Sequence, residues 1–325
     1  MKFVVVGLGS IGRRHLKNLI SLGEKDIVLC RNKVASPIDD EFKEFPIETN
    51  IYSALKHEPD AVIISNPTSL HFDIAIPAAE AGCHILIEKP ISDSLAGIDK
   101  LKAALKHGGG QFLVGFQYRF HPTLKIASNM ISQGEIGRIV SINVHWGEYL
   151  PDWHPWEDFR NSYAARPDLG GGVVLTLCHP FDYLSWLFGK PEFMWAHTDT
   201  VGDLGINVED VADVYLKFPN GAFGSVHLDY IQRPTTHHLE VIGTNGTIRW
   251  NNADGQLSIY RPNHSAWEFI EAPKYFERNS LFIDEMRHFL SVIRRETEPI
   301  CTLDDGINAL EIALQTLSFK VDKSC

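Results

Sequence analysis

Three short stretches of this chain hold residue types whose spacing can do chemistry. Gly7-Leu8-Gly9-Ser10-Ile11-Gly12 satisfies G-x-G-x-x-G and follows a β-branched run, KFVVV at 2–6. In such a turn the first glycine permits the tight bend and the second lets a pyrophosphate approach the backbone. The third lets helix and strand pack closely, with the helix N-terminus facing the phosphates. An ordinary strand-to-helix turn is the plainer alternative for a six-residue match. The second stretch is Glu88-Lys89-Pro90, which ends the apolar run Ile85-Leu86-Ile87. Beside a bound dinucleotide, that lysine can donate a hydrogen bond to a reacting hydroxyl or take its proton; otherwise it is a solvated residue at a strand end. The third is His179, after the glycine run Gly170-Gly171-Gly172. Histidine titrates near neutrality and suits proton transfer, although a lone helical histidine is more often a packing or capping residue.

The elements that must position these residues follow from hydrophobic periodicity. Residues 2–6 read as a strand, Arg13–Leu22 as a helix and Ile27–Cys30 as the next parallel strand, closing a βαβ unit of ordinary size. The alternation continues with strands at Ala61–Ser65, His84–Glu88 and Phe112–Phe116 and helices at His71–Ala81 and Leu95–Lys106. This predicts a doubly wound parallel sheet, a Rossmann domain over residues 1–120. Beyond it come a helix at Pro122–Gln133, a long strand at Ile139–Tyr149, a helix near Leu175–Phe188 and then mostly strands from Glu192 to Glu271. Hairpin signals stand at Pro219-Asn220-Gly221, Thr244-Asn245-Gly246 and Ala253-Asp254-Gly255. Helices at Leu281–Arg295 and Asp304–Lys320 close the chain. The fold class expected is therefore α/β: the doubly wound parallel sheet, then an α+β domain over 121–325 with a largely antiparallel sheet.

A ribose-reading residue belongs roughly 20 positions beyond the glycine motif, at the end of the second strand. That place holds Cys30-Arg31-Asn32, without the acid that would accept from a free 2′-hydroxyl and repel a 2′-phosphate. Arg31 holding that phosphate favours NADP over NAD; Arg31 stacking on adenine or facing water leaves the choice open.

Several motifs together resemble the glucose-fructose oxidoreductase, inositol dehydrogenase and MocA family, in order and over nearly the whole chain. They are the N-terminal glycine turn, Ser65-Asn66-Pro67-Thr68 with His71, Glu88-Lys89-Pro90, Gly115-Phe116-Gln117-Tyr118-Arg119-Phe120, and Gly170-Gly171-Gly172 through His179-Pro180-Phe181-Asp182-Tyr183. The resemblance implies that Lys89 and His179 form a catalytic pair. The glycine turn (Gly7, Gly9, Ser10, Ile11 and Gly12) and, where it holds a 2′-phosphate, Arg31 are cofactor contacts by their own position; the resemblance adds Asn66, His71, Glu88, Lys89 and Gln117, and implies that the C-terminal domain is an open mixed sheet for substrate binding and oligomerisation. It further implies substrate contacts for Lys89, Arg119, Thr176 and His179, and a homodimer or homotetramer built on the C-terminal sheet. Relatives commonly carry an aspartate where Thr176 stands. Threonine can hydrogen-bond to substrate but cannot act as a base near neutral pH, which shifts proton transfer to His179 with Lys89, with Asp182 one turn on to orient the imidazole.

The segment Gly147–Arg160 is dense in aromatic and hydrogen-bonding side chains. Trp153, Trp156 and Arg160 are assigned to a sugar-like substrate, since aromatic faces stack on sugar rings; an interdomain strap packed by the two tryptophans is the competing reading. The expected activity is hydride transfer between NAD(P) and a ring hydroxyl or ketone of a sugar, polyol or nucleotide-activated amino sugar. A nucleotide-binding sensor without turnover, and a lyase or hydrolase using NAD transiently, are the alternatives. His145, His154, His237 and His238 lack a metal-ligand spacing, and neighbours on a strand point to opposite faces, so no metal is expected.

At 325 residues two domains are the natural size, and 44% hydrophobic residues with 22% charged ones supply packed cores rather than disorder. A net charge of -11 argues against nucleic-acid or anionic-membrane partners and requires local positive groups for an anionic cofactor. The five cysteines, Cys30, Cys83, Cys178, Cys301 and Cys325, are odd in number and contain no C-x-x-C pair, which fits reduced thiols in the cytoplasm.

Overall fold

The computed structural model describes residues 1–31 and 42–320; Asn32 and Cys325 lie outside the described residues. Two compact units result, one built from residues 1–117 and 278–307, the other from 118–277 and the residues after 307.

In the first unit β1 (Lys2–Val6) leads to α1 (Ser10–Ser21) and β2 (Asp26–Cys30). β3 (Ile47–Glu48), α2 (Ile51–Leu55), β4 (Ala61–Ile64), α3 (His71–Glu80), β5 (His84–Glu88), α4 (Ile98–Gly108) and β6 (Phe112–Gly115) follow. The sheet order is β3-β2-β1-β4-β5-β6, every pair parallel. Strands covered on both faces need continuous apolar runs, and Phe3–Val5, Ala61–Ile64 and Ile85–Ile87 are fully or almost fully buried. The order reverses between β1 and β4, the place where ligands bind in such sheets. The turns after β1, β4 and β5 therefore emerge on the carboxyl edge beside that switch point. β3 and α2 escape a sequence reading because two and five residues are too short to carry a period.

The second unit contains α5 (Pro122–Ser132), β7 (Ile139–Gly147), α6 (Val173–Thr176), α7 (His179–Phe188) and β8 (Glu192–Asp199). β9 (Val211–Lys217), β10 (Phe223–Asp229), β11 (Thr236–Gly243), β12 (Gly246–Asn251), β13 (Leu257–Tyr260) and β14 (Trp267–Ile270) complete its sheet. Its eight strands run β14-β13-β12-β11-β7-β10-β9-β8, all antiparallel except β7 with β10. Alternation sorts the two faces. Ile142, Val144, Trp146, Val226, Leu239, His237 and Trp250 are buried on one, whereas Tyr215, Phe223 and Phe269 are exposed. The helix expected over Leu175–Phe188 is two: α6 ends at Thr176, and α7 restarts at His179 with Pro180 in its first turn, where a missing N–H breaks no helical bond.

The chain then returns. α8 (Arg278–Ile293) belongs to the first unit, so the single cut expected at 120–121 is corrected to a double crossing. Leu281, Phe282, Met286 and Phe289 make a buried stripe on α8 that must be covered. α1 does this: the His15 and Phe282 rings meet edge-on at 6.0 Å, and Asn279 Nδ2 donates to Asn18 Oδ1 at 3.0 Å. α9 (Leu303–Ser318) follows, with Gly306 tight against Ile91 and Val114. Among the described residues no helix is long and apolar enough to cross a membrane.

Two glycines are sterically obligatory. Gly7 has φ +82, and a Cβ there would stand 2.6 Å from Asn66 N and Ser65 O; at Gly12 it would stand 1.8 Å from Gly7 O. Those obstacles are backbone atoms and cannot swing aside. Gly12→Ala is expected to lower the melting temperature by an amount equivalent to about 1–3 kcal/mol or more, because the turn must open; a thermal melt beside the wild type checks it.

Candidate active site

The cofactor half of the expected site lies in the first unit. Val6 ends a strand buried on both faces, so the chain leaves the sheet edge directly into the glycine turn, where Gly9 and Ser10 are exposed. Gly9 caps α1 without a side-chain hydrogen bond, and the first turn holds no acid. Its N–H groups thus face a binding position at the positive end of the helix dipole. Ser65 Oγ lies 2.8 Å from Val6 O and 3.0 Å from Gly7 O, so its one proton is shared between the two carbonyls and ties the turn after β4 to the turn after β1.

His71 ties the β4 turn to the next. Its Nε2 is 2.9 Å from Asn66 O and its Nδ1 is 3.0 Å from Pro90 O, with the ring buried. Burial pulls its pKa down, while those carbonyls and Glu88 act the other way. Both neighbours are carbonyl acceptors and the neutral ring has a single N–H, so His71 donates to one of them at a time and sits as a buckle between the two turns. Glu88 also lies between two partners. Its Oε1 meets His15 Nε2 at 2.7 Å and its Oε2 accepts from Lys89 N at 3.3 Å, with the side chain buried. Glu88 fixes the backbone on which half-buried Lys89 stands, across a cis Lys89–Pro90 peptide.

Buried acceptors remain for a ligand. Asn66 Nδ2 donates to Leu70 O at 3.1 Å, but Asn66 Oδ1 and Gln117 Oε1 are buried without a hydrogen-bond partner among the described residues. An uncapped helix N-terminus, a backbone cradle that a Cβ would fill and two acceptors of this kind fit a dinucleotide with a carboxamide end. Arg31 is half-buried and its N–H donates to Glu48 O at 2.9 Å; the loop beyond it lies outside the described residues.

The substrate half lies in the second unit. His179 opens α7 and is buried against the inner sheet face. Trp146 stacks on its ring at 5.6 Å and Tyr118 meets it edge-on at 4.9 Å. Trp146 also stacks on His237 at 4.1 Å, and Tyr183 Oη lies 3.2 Å from His237 Nε2. Burial holds His237 well below its ordinary pKa and lowers His121 to about 4. These rings are neutral at physiological pH, and the direction of the Tyr183–His237 hydrogen bond follows the His237 tautomer. Thr176 is buried on α6.

Arg119 is buried within the second unit. Its guanidinium is 4% exposed and grips Asp182 by Nη2 to Oδ1 at 2.7 Å and by Nε to both oxygens at 3.1 Å. A fork clamped on a buried carboxylate is a strong, geometrically specific pair, and it fixes Asp182 on the first turn of α7. In the aromatic segment Trp153 meets Tyr230 edge-on at 5.7 Å. Trp156 is 78% exposed, and Arg160 lies along the surface with its Nε 2.9 Å from Asp158 Oδ1.

Sequence reasoning passed over other groups. Glu209 accepts from Val174 N at 3.1 Å at the start of α6, and burial lifts its pKa to about 7. Two clusters bring metal-ligating atom types within 4.8 Å of one another: His145 with His227 and Asp229, and His15 with Glu88 and Glu285. The first has a legible origin only once register is known, since His145 and His227 are direct partners across β7 and β10. The second had a signal, because Glu285 occupies a core-facing position of α8.

Comparison with known proteins agrees with this geometry. Residues 1–116 match the model of an oxidoreductase family with an NAD-binding Rossmann fold, and residues 124–249 match the GFO/IDH/MocA C-terminal domain. The chain is 30% identical to scyllo-inositol 2-dehydrogenase (NAD(+)) of Bacillus subtilis, covering 98% of this chain and 94% of that protein. It is 28% identical to D-xylose 1-dehydrogenase (NADP(+)) 2 of Haloferax volcanii over 78% of this chain and 76% of that one. A levoglucosan dehydrogenase solved in complex with NADH and levoglucosan shares the fold with a TM-score of 0.83, at 20% identity over 98% of this chain and 96% of that chain. The glycine cradle, the two buckled turns and both matched domains make this chain a member of the GFO/IDH/MocA family of nicotinamide-dependent oxidoreductases.

Proposed function

We propose that the chain transfers a hydride between a nicotinamide dinucleotide and a ring hydroxyl or ketone of a sugar or polyol, nucleotide-activated amino sugars included. The observation that carries the reading is the double buckle of the first unit, in which Ser65 and His71 fix the turns after β1, β4 and β5 to one another through backbone carbonyls. Such fixing matters because hydride transfer demands reacting atoms held to within a few tenths of an ångström. When bound, the nicotinamide supplies the hydride acceptor or donor. Glycines 7, 9 and 12 with Ser10 and Ile11 hold the pyrophosphate, and Asn66 and Gln117 accept from the carboxamide end. Lys89 hydrogen-bonds the reacting oxygen and polarises it, and His179 takes or returns the hydroxyl proton. The relatives named above act, by name, on an inositol, a pentose and an anhydrosugar, which supports a cyclic polyol or sugar here.

NADP is the preferred coenzyme in this reading, since Arg31 stands where an acid would repel a 2′-phosphate. The exposed face of the C-terminal sheet, with Tyr215, Phe223 and Phe269, takes a second copy of the chain. The working place is the cytoplasm, in keeping with four buried free cysteines among the described residues.

Purified protein with NADP or NADPH and a panel of sugars, inositols and nucleotide sugars should change absorbance at the reduced-nicotinamide band; binding of either coenzyme without turnover on any of them would remove the activity. Lys89→Met and His179→Ala should each lower kcat by about 10²-fold or more, with the coenzyme Kd shifted by less than about threefold. Arg31→Ala should weaken NADP about tenfold and NAD little, an expected difference of about 1.4 kcal/mol read by titration calorimetry.

A further inference from the structure

Glu285 belongs to no motif and lies in the core of the first unit. It is 0% exposed, and both of its carboxyl oxygens are buried without a hydrogen-bond partner among the described residues. Its carboxyl, that of Glu88 and the ring of His15 offer atoms that all lie within 4.8 Å of one another. Two buried carboxylates at that separation cannot both stay ionised, because each has lost its hydration and repels the other. Hydrogen bonding decides which keeps the charge. Glu88 has His15 Nε2 and Lys89 N as donors, whereas Glu285 has none.

We propose that Glu285 is a neutral carboxylic acid beneath the Glu88-Lys89-Pro90 turn, a positioning residue that keeps Glu88 as the cluster's one anion and thereby holds the Lys89 backbone in place. The assignment of a positioning role rests on the reading of Lys89 as catalytic; the protonation of Glu285 does not. Burial, then repulsion from Glu88, lifts the Glu285 pKa well above the carboxylate range. For Glu88 burial acts upward, but the His15 hydrogen bond and charge and the Lys89 charge and N–H outweigh it, and the net direction is down. The charged groups around the pair are Arg14 and His15 on α1, Lys89 and His71 near Glu88, and Arg278 acting on Arg14 from α8. None of the cations makes a hydrogen bond to Glu285. His15 Nδ1 is also buried without a hydrogen-bond partner among the described residues.

An acid whose pKa is raised by folding binds a proton in the folded chain that the unfolded chain has released. Its stabilisation is whole below the unfolded pKa of about 4.3 and drains away as pH climbs through the folded value. Wild type should therefore lose melting temperature relative to Glu285→Gln as pH rises, the two curves converging toward acid. At neutral pH the infrared spectrum of the wild type should contain the carbonyl stretch of a buried protonated carboxylic acid, absent from Glu285→Gln. Parallel melting curves with no such band overturn the proposal, as does a stoichiometric metal ion in the purified wild type that Glu285→Gln loses. For the positioning role, Glu285→Leu should lower kcat about tenfold with little change in coenzyme KM, and Glu285→Gln should recover most of that loss. Equal loss in both variants overturns the role. A band with the expected melting behaviour, in protein inactive on every substrate offered, upholds the protonation and removes the Lys89 reading instead.

Discussion

The structure of the first unit depends on one close approach, that of the backbone at Gly7 to Ser65 and Asn66. A side-chain carbon at Gly7 would overlap the next turn at 2.6 Å, so the two turns meet only because nothing lies between them. Contact at that range lets the Ser65 hydroxyl reach both Val6 O and Gly7 O, and it brings the Asn66 carbonyl under the His71 ring. His71 then reaches Pro90, and Glu88 holds Lys89 N from the other side. Each link uses main-chain atoms of the turns. Turn geometry is thereby insulated from the identity of exposed side chains, and the sheet edge can carry a ligand without being reshaped by it.

Charge follows the same economy. With a net charge of -11, attraction of an anionic ligand has to be local. α1 supplies it by omission, having neither an acid in its first turn nor a side-chain cap. Of the buried acids beside α1, Glu88 is paired with His15, and burial lifts the Glu285 pKa well above the carboxylate range. Arg13 donates from Nε to Leu8 O at 3.0 Å, which braces the glycine turn and leaves its charge beside it.

Much of the parallel sheet was legible because each strand is a continuous apolar run with a helix between. The glycine turn, the Ser65-Asn66 turn and the Lys89 turn fall where strand ends were expected. What was illegible involves partners distant in sequence. That α8 covers α1 depends on Phe282 meeting His15, two residues 267 apart, and no local period reports that. The β7 and β10 pairing is parallel inside an otherwise antiparallel sheet, so hairpin signals alone miss it. For Arg119 the resemblance implies a substrate contact, while its partner Asp182, 63 positions away, holds it in the core, a pairing that no local pattern reports. His71 and Glu88 stand in motifs, but spacing shows proximity to a site and not which atom a side chain spends on backbone.

On the substrate side the same logic bears on the proton transfer proposed for His179. A histidine that must gain and lose a proton needs surroundings that neither fix it charged nor forbid the charge. The inner face of the C-terminal sheet provides aromatic rings and neutral imidazoles around His179: Trp146 and Tyr118 touch its ring, His237 stands behind Trp146, and burial keeps His237 and His121 uncharged. No neighbouring imidazolium opposes a proton arriving at His179, and the face of Trp146 favours the cation once formed. The nearest strong charges on the Asp182 side cancel in the Arg119 clamp. A bed of aromatic rings and neutral imidazoles suits the role proposed for His179, that of a group acting as base in one direction and acid in the other.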